Sequence, residues 1–394
     1  MWFRSKTDVS STAFQTDGNL HQQVFHSLRE VPPESWNRLI GDAFPFAEYD
    51  YLLALEEGQC VGIEPGWEPR YLTLWEGKQL QAACYLYRKT NSNGEYIFDW
   101  DWANAYQRYG QRYFPKLTSA VPFTPINGDR IFYNKPLEDI DDFFEILIKF
   151  LKKQNISSHH FNFISKSQSN IMEKSGFLTR LGLQYHWYND NYINFDDYLD
   201  SFKLKKKKNV LKERKYVSDQ GIFFKIKKGN SIKIQDLHFF FKCYKNTIEK
   251  KWANQYLNFD FFKYLLQSPI KDKMVLFIAY EKQDEQIASA LNFSSKDALY
   301  GRYWGCIKEI KNLHFELCYY QSIEFAIKNN LKLIESGAQG EHKIPRGYEP
   351  TVTLSNHWIK NEKISEALRK VLEHENKNVI DTVEYLKKLL PFKN

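Results

Sequence analysis

The order of segments between residues 48 and 100 recurs between residues 258 and 304. A chain that repeats an order of elements at an offset near 205 to 210 positions is constrained to fold as two related halves. Glu48-Tyr-Asp-Tyr-Leu-Leu-Ala-Leu-Glu56 resembles Asn258-Phe-Asp-Phe-Phe-Lys-Tyr-Leu-Leu-Gln267, and each reads as one amphipathic helix. A hairpin pattern follows both: Arg70 to Trp75 and Ala82 to Arg88 around Glu76-Gly-Lys78, then Val275 to Tyr280 and Ile287 to Phe293 around Glu281 to Gln286. Third strands are expected at Glu95 to Trp100 and at Ala298 to Trp304, both rich in aromatic residues. Phe143, Phe144, Ile146, Leu147, Phe150 and Leu151 recur at helical spacing and predict a helix over 141–153. In the second half a helix is expected from Leu313 to Asn329, then a strand from Leu331 to Glu335 closed by Ser336-Gly337. Strand, helix and strand in that order imply a mixed α/β sheet with right-handed crossovers.

At 394 residues the chain exceeds the size at which one core keeps growing, so two domains are expected, 1–195 and 196–394. The second carries a basic connecting helix, and its tail from 362 to 394 reads as two polar helices. No apolar run that would make a signal-peptide core opens the sequence, and no window approaches about 18 consecutive apolar residues, so a cytoplasmic protein with no transmembrane span is expected. Cys60, Cys84, Cys243, Cys306 and Cys318 are odd in number and scattered, which predicts reduced thiols. His159-His160, and His186 in Gln184-Tyr-His-Trp-Tyr-Asn189, offer metal-capable atoms without a recognised ligand spacing, and no metal is expected. The chain has no Gly-x-Gly-x-x-Gly, Walker loop or Gly-x-Ser-x-Gly elbow, which removes support for dinucleotide binding, P-loop hydrolysis and esterase chemistry.

Charge is uneven. The first 200 residues hold 19 Lys and Arg against 26 Asp and Glu, whereas the rest hold 36 against 22. A basic second half suits an anionic partner such as a phosphate, nucleotide or tRNA, with lysine-rich coding bias as the alternative. Lys205, Lys206, Lys207, Lys208, Lys212 and Arg214 crowd one expected helix, either as a polyanion-binding face or as a solvated linker.

The stretch Glu335 to Tyr348 follows an expected strand and concentrates Gln339, Glu341, His342, Lys343 and Arg346, with glycines at 337, 340 and 347 that permit close backbone approach to a ligand. Arg302 and Trp304 on the preceding strand, with His314 and Glu316 at the start of the next helix, converge on the same strand end. A histidine titrating near neutrality accepts the proton of an attacking amine, so His314, Glu316, Glu341 and His342 are candidate bases; Arg302, Lys343 and Arg346 are candidates to hold an anion or oxyanion. In the first half Asp99-Trp100-Asp101-Trp102 ends an expected strand with both acids on one side. It is either an amine-binding pair or the cap of the following helix.

Together these strings resemble the FemAB-like family of the GNAT superfamily, the peptidoglycan biosynthesis or recognition proteins. The resemblance runs from about Leu28 to Trp358 and rests on Glu95-Tyr-Ile-Phe-Asp-Trp-Asp-Trp-Ala103, Tyr113-Phe-Pro-Lys-Leu-Thr-Ser-Ala-Val-Pro-Phe-Thr-Pro125, Gln184-Tyr-His-Trp187, Leu299-Tyr-Gly-Arg-Tyr-Trp-Gly305, Leu313-His-Phe-Glu316 and Gly337-Ala-Gln-Gly-Glu-His-Lys343. It implies tandem acetyltransferase-like domains, and a cleft where an activated acyl donor, aminoacyl-tRNA or acyl-CoA, meets an amine acceptor such as a cell-wall precursor, with no tightly bound cofactor. The alternative is a binding module of the same fold that recognises peptidoglycan peptides or RNA. Ile307-Lys-Glu-Ile-Lys-Asn312 supplies no glycines where a coenzyme A pyrophosphate loop needs them, which favours aminoacyl-tRNA or another donor.

Overall fold

Aromatic and β-branched residues fill the strand segments of both halves, and the strands join into one mixed sheet. In the computed structural model the described residues are 14–15, 20–97, 99–134, 141–338 and 340–393. The strands are β1 (Phe14–Gln15), β2 (Leu20–Phe25), β3 (Trp67–Glu76), β4 (Gln79–Lys89), β5 (Lys116–Ser119), β6 (Ile131–Tyr133), β7 (Ser158–Ile164), β8 (Leu178–Tyr188), β9 (Phe223–Lys228), β10 (Met274–Glu281), β11 (Glu285–Ser294), β12 (Ala298–Cys306), β13 (Leu333–Glu335) and β14 (Glu349–Ile359). Their order across the sheet is β1-β2-β3-β4-β5-β7-β14-β8-β13-β12-β11-β10-β9, with β6 paired to β4. The sheets of the two halves are therefore continuous. β14, near the end of the chain, lies between β7 and β8, pairing His357 with His160 on one side and Glu349 with His186 on the other. β8 in turn pairs with β13 of the second half. Within each half one parallel pair, β5 with β7 and β12 with β13, follows an antiparallel hairpin.

The two copies of the repeated helix, Tyr49–Glu57 and Phe259–Gln267, pack against each other rather than in separate cores. Tyr51 meets Phe261 edge-on at 5.7 Å, and the Asn258 amide donates to the Gly58 carbonyl while its oxygen caps Phe261 N–H at 3.1 Å. Phe46, Tyr51 and Phe293 complete a knot of edge-on rings, each pair contributing about 0.5–1.5 kcal/mol beyond its buried area. The hairpins and the helix Asp141–Lys153 form as expected. Two expectations are corrected. Residues 95–97 and 99 are loop rather than a third strand, because Glu95 and Asp99 are drawn into a buried charge cluster; the strand that pairs with the hairpin is β5. The tail is one helix, Glu362–Lys387, capped by Asn361 and laid across β8 and β14, because Ile364, Leu368 and Leu372 join a core with Trp102 and Tyr106. The cysteines are free thiols.

The middle of the sheet is polar. Lys116 binds both Glu95, at 2.9 Å, and Asp99, and Tyr113 donates to Asp99 at 2.5 Å. Tyr113 also meets His160, whose Nδ1 lies 2.7 Å from Nδ1 of His357. Burial would raise the Asp99 carboxyl, but Lys116 and Tyr113 outweigh it and hold it below its ordinary value. Burial pulls His159 down to about 3 and holds His160 and His357 far below the usual imidazole range. These imidazoles stay neutral in the fold, whereas in the unfolded chain they take up protons below the ordinary imidazole value of 6.5. Their contribution to stability is complete above that pH and declines as pH falls through it. The urea midpoint is expected to drop steadily from pH 7.5 to pH 5; a flat profile would contradict the buried neutral cluster.

Candidate active site

β12 and β13 run parallel for three residue pairs, Ala298 with Leu333, Leu299 with Ile334 and Tyr300 with Glu335, and then part. Beyond Gly301 on one strand and Ser336 on the other lies a cavity of about 600 Å³. It sits at the carboxyl end of parallel strands, the place where open α/β sheets bind ligands. The side chains of β12 set the floor with Arg302, Tyr303 and Trp304. The segment after helix Ile234–Lys250 forms one wall with Lys251, Tyr256 and Leu257. Gly305 lets that helix lie on β12, since a side chain there would run into the Cys243 carbonyl at 1.9 Å. The first half supplies the cover, in which Tyr96 and Phe123 reach the cavity and Phe123 stacks on Tyr256 at 4.8 Å.

The expected helix over 313–329 starts with Leu313–Phe315, passes through one π turn at Glu316–Tyr320 and continues as Gln321–Lys328. π turns concentrate at functional sites because the extra residue re-aims side chains. Here His314, Cys318 and Tyr319 all line the cavity. His314 packs on Trp304 at 4.9 Å and on Tyr319 at 5.3 Å, and burial, reinforced by neighbouring His342, lowers it to about 3. His342 lies 6.0 Å from it, ring to ring, and its Nε2 pairs with the Tyr319 hydroxyl at 2.8 Å. Burial and then Lys343 and Arg346 lower His342, which is the more exposed of the two. Gly340 makes this turn possible, with φ +122° and a position where any side chain would strike the His342 ring at 2.5 Å.

Of the candidates drawn from the sequence, Arg302, Trp304, His314 and His342 line one cavity. The other candidates have different places. Glu316 is buried and ion-paired to Arg214 at 2.9 Å, so it is no free base; Glu341 is exposed and off the cavity wall. Lys343 is buried behind the wall, donating to Ser336 O at 2.6 Å and Gly337 O at 3.0 Å, and burial followed by Arg302 lowers it to about 7. Arg346 donates to His342 O, pairs with Glu213 at 2.8 Å and lies 3.5 Å from the Phe315 ring centre, so it fixes the turn instead of gripping a ligand. Gln339 lies outside the described residues. Asp99 and Trp102 belong to the buried cluster and core of the first half, while Trp100 and Asp101 are exposed on helix Trp100–Arg108; none of the four lines the cavity. Reasoning from sequence missed Tyr96, Phe123, Lys251 and Tyr256; the first two lie in strings that carry the family resemblance, whereas no motif marks Lys251 or Tyr256.

The basic helix forms at Leu204–Asp219. Lys205, Lys208 and Lys212 are exposed, Lys206 is partly so, and Lys207 pairs with Asp200. Arg214 is corrected from polyanion ligand to clamp, because its guanidinium spans Glu316 and Glu324 and covers Phe195 at 4.5 Å. In the first half, the region where β5 and β7 part is filled by Arg130, buried and donating to five backbone carbonyls, those of Ile126, Gly128, Asp129, Asn162 and Phe163. The open cleft is in the second half.

Residues 27–394 match the FemAB-like family, described as peptidoglycan biosynthesis or recognition, and the chain belongs to that family. Its fold is a mixed α/β arrangement with one large mixed sheet, like that of FemX. Among solved structures, the carboxyl-terminal domain of a putative lysylphosphatidylglycerol synthetase from Agrobacterium fabrum is similar over 88% of this chain and 97% of its own, with TM-score 0.53 and 10% identity. FemX is similar over 88% and 99%, with TM-score 0.51 and 10% identity. L-PGS from Bacillus licheniformis is similar over 84% and 97%, with TM-score 0.51 and 10% identity. No curated protein matches the sequence. Among the described residues no helix is long and apolar enough to cross a membrane.

Removing Arg214 strands the buried Glu316 carboxylate, so Arg214→Ala is expected to cost about 3 kcal/mol in urea unfolding. Charge reversal at Lys205, Lys208 and Lys212 leaves the midpoint within about 0.5 kcal/mol of its original value. Equal effects would contradict the division of this helix into a clamp and a solvated face.

Proposed function

We propose that the chain is an acyl- or aminoacyltransferase, moving an activated acyl group from an ester or thioester donor onto an amine acceptor in cell-envelope chemistry. The observation that carries the reading is the convergence of Arg302, His314, His342 and Tyr319 on one cavity where two parallel strands part. In the step proposed, the neutral amine attacks the acyl carbonyl, a carbon–nitrogen bond forms, and the bond to the donor oxygen or sulfur breaks. The Tyr319–His342 pair takes the amine proton and returns it to the leaving group. His342 suits this better than His314, which at about 3 holds a proton too weakly to serve as base near neutrality. Arg302 and Lys251 give the cavity a positive wall against developing negative charge. Lys343 and Arg346 are positioning residues that hold the turn bearing His342.

Aminoacyl-tRNA is the favoured donor. The turn before the first helical residue, Leu313, contains no glycine, and its Asn312 sits at φ +66°. The exposed lysines of helix Leu204–Asp219 offer a polyanion-binding face on the element that clamps the π turn. We place the reaction in the cytoplasm. A peptidoglycan peptide is one candidate acceptor.

Transfer assays with aminoacyl-tRNA and acyl-CoA donors test the reading. His342→Gln and Tyr319→Phe are expected to lower kcat, the first by about 10²-fold or more, with little change in unfolding midpoint. If no donor supports transfer while a peptidoglycan peptide or RNA binds, the chain is a binding module and the reading fails.

A further inference from the structure

Among the described residues Arg302 is the cation of the cavity floor, and its environment is unusual. Its Nε is buried and has no hydrogen-bond partner among the described residues, Nη1 makes only a long contact to the Gly301 carbonyl at 3.5 Å, and the guanidinium lies 5.7 Å from the Tyr303 ring centre. No carboxylate forms an ion pair with it among the described residues, and no Asp or Glu is among the described residues lining the cavity. Lys251 lies on the same wall. A buried guanidinium donor left without a partner is costly, and a guanidinium lining a cavity has N–H donors that suit the oxygens of a carboxylate or phosphoryl group. Arg130 in the first half shows the contrast, since its three nitrogens are saturated by backbone carbonyls.

Opposite this cation the cavity is aromatic. Tyr96 and Phe123, the residues the first half contributes, both hold left-handed backbone conformations, at φ +59° and +58°. Bulky residues adopt that region only when the surroundings over-determine it, and such strain gathers at ligand clamps. Here the surroundings do so. Lys116 ties down Glu95 and Asp99 on either side of Tyr96, while Phe123 is held between Trp67 at 5.4 Å and Tyr256 at 4.8 Å. Gly94 is the residue that permits this contact, as any side chain there would meet the Phe123 ring at 2.5 Å.

We infer that the moiety bound in this cavity joins a carboxylate or phosphoryl group, gripped by Arg302, to an apolar or planar body lying against Tyr96, Phe123 and Tyr256. The inference deepens the transfer reading and rests on it only in treating the ligand as a substrate. The same site gives an acidic substrate the advantage of ground-state binding, which is separate from any effect of Arg302 on the reaction step.

Titration calorimetry on the full chain tests it with matched probes: N-acetylphenylalanine, phenyl phosphate, the neutral N-acetylphenylalaninamide and the cationic phenylalaninamide. At least one anionic probe is expected to bind about tenfold or more tightly than the neutral amide, with the cation weakest; which anion binds better separates a carboxylate from a phosphoryl source. Arg302→Gln is expected to erase that preference and Arg302→Lys to retain part of it. Should the glutamine variant not fold, the wild-type chain still decides, because anion binding weakens with added salt and amide binding does not. Equal binding of acid and amide, preference for the cation, survival of the preference in Arg302→Gln, or no binding of either anion overturns the inference. A chain that prefers anions but transfers nothing loses the transfer reading and keeps this one; a chain that transfers without anion preference does the reverse.

Discussion

The insertion of β14 between β7 and β8 is the constraint on which the rest of the structure depends. β14 is hydrogen-bonded on both sides to strands of the first half, while β8 of the first half completes the pairing of β13 in the second. Neither half closes its sheet without the other, and the repeated helices share one core. The seam between the halves is thereby as firmly held as the interior of either. A cavity at the seam can take walls from both without the play of a hinged interface.

That rigidity permits a division of labour between two halves of similar element order. The first has filled its parting strands with Arg130 and turned its surplus aromatic residues outward as a cover, Tyr96 and Phe123. The second keeps its strands apart and exposes Arg302 to the gap. One arginine is spent on main-chain carbonyls and the other is left with an unpartnered nitrogen. The π turn then places His314, Cys318 and Tyr319 on the same wall, and the clamp of Arg214 on Glu316 fixes that turn from behind.

Electrostatics inside the sheet follow from burial. His160 and His357 share a hydrogen bond because both are neutral, and Lys116 is tolerated among strands because two carboxylates meet it there. The same physics lowers His314 to about 3 and Lys343 to about 7, so the protonation of these groups near the cavity is set by their burial first and by their charged neighbours second.

Much of this was legible in the residues themselves. Helical spacing located Asp141–Lys153 and the repeated helices, strand pattern located both hairpins, and the unusual strings around Arg302, His314 and His342 pointed to the family and to one strand end. These are short-range properties, carried by side-chain periodicity and local turn chemistry. Charged residues misled for the opposite reason. Arg346, Arg214, Glu316, Asp99 and Lys343 have the chemistry of a site, but what each can do depends on a partner far away in the chain or on main-chain carbonyls brought near by folding: Glu213, Glu316 and Lys116 among the first, Ser336 and Gly337 among the second. Sequence by itself determined the elements, their repeat and the kind of chemistry available. Only the tertiary structure decided which charges were already neutralised and which cation was left facing a cavity, because pairing is a matter of distance in space and pattern along a chain does not encode it.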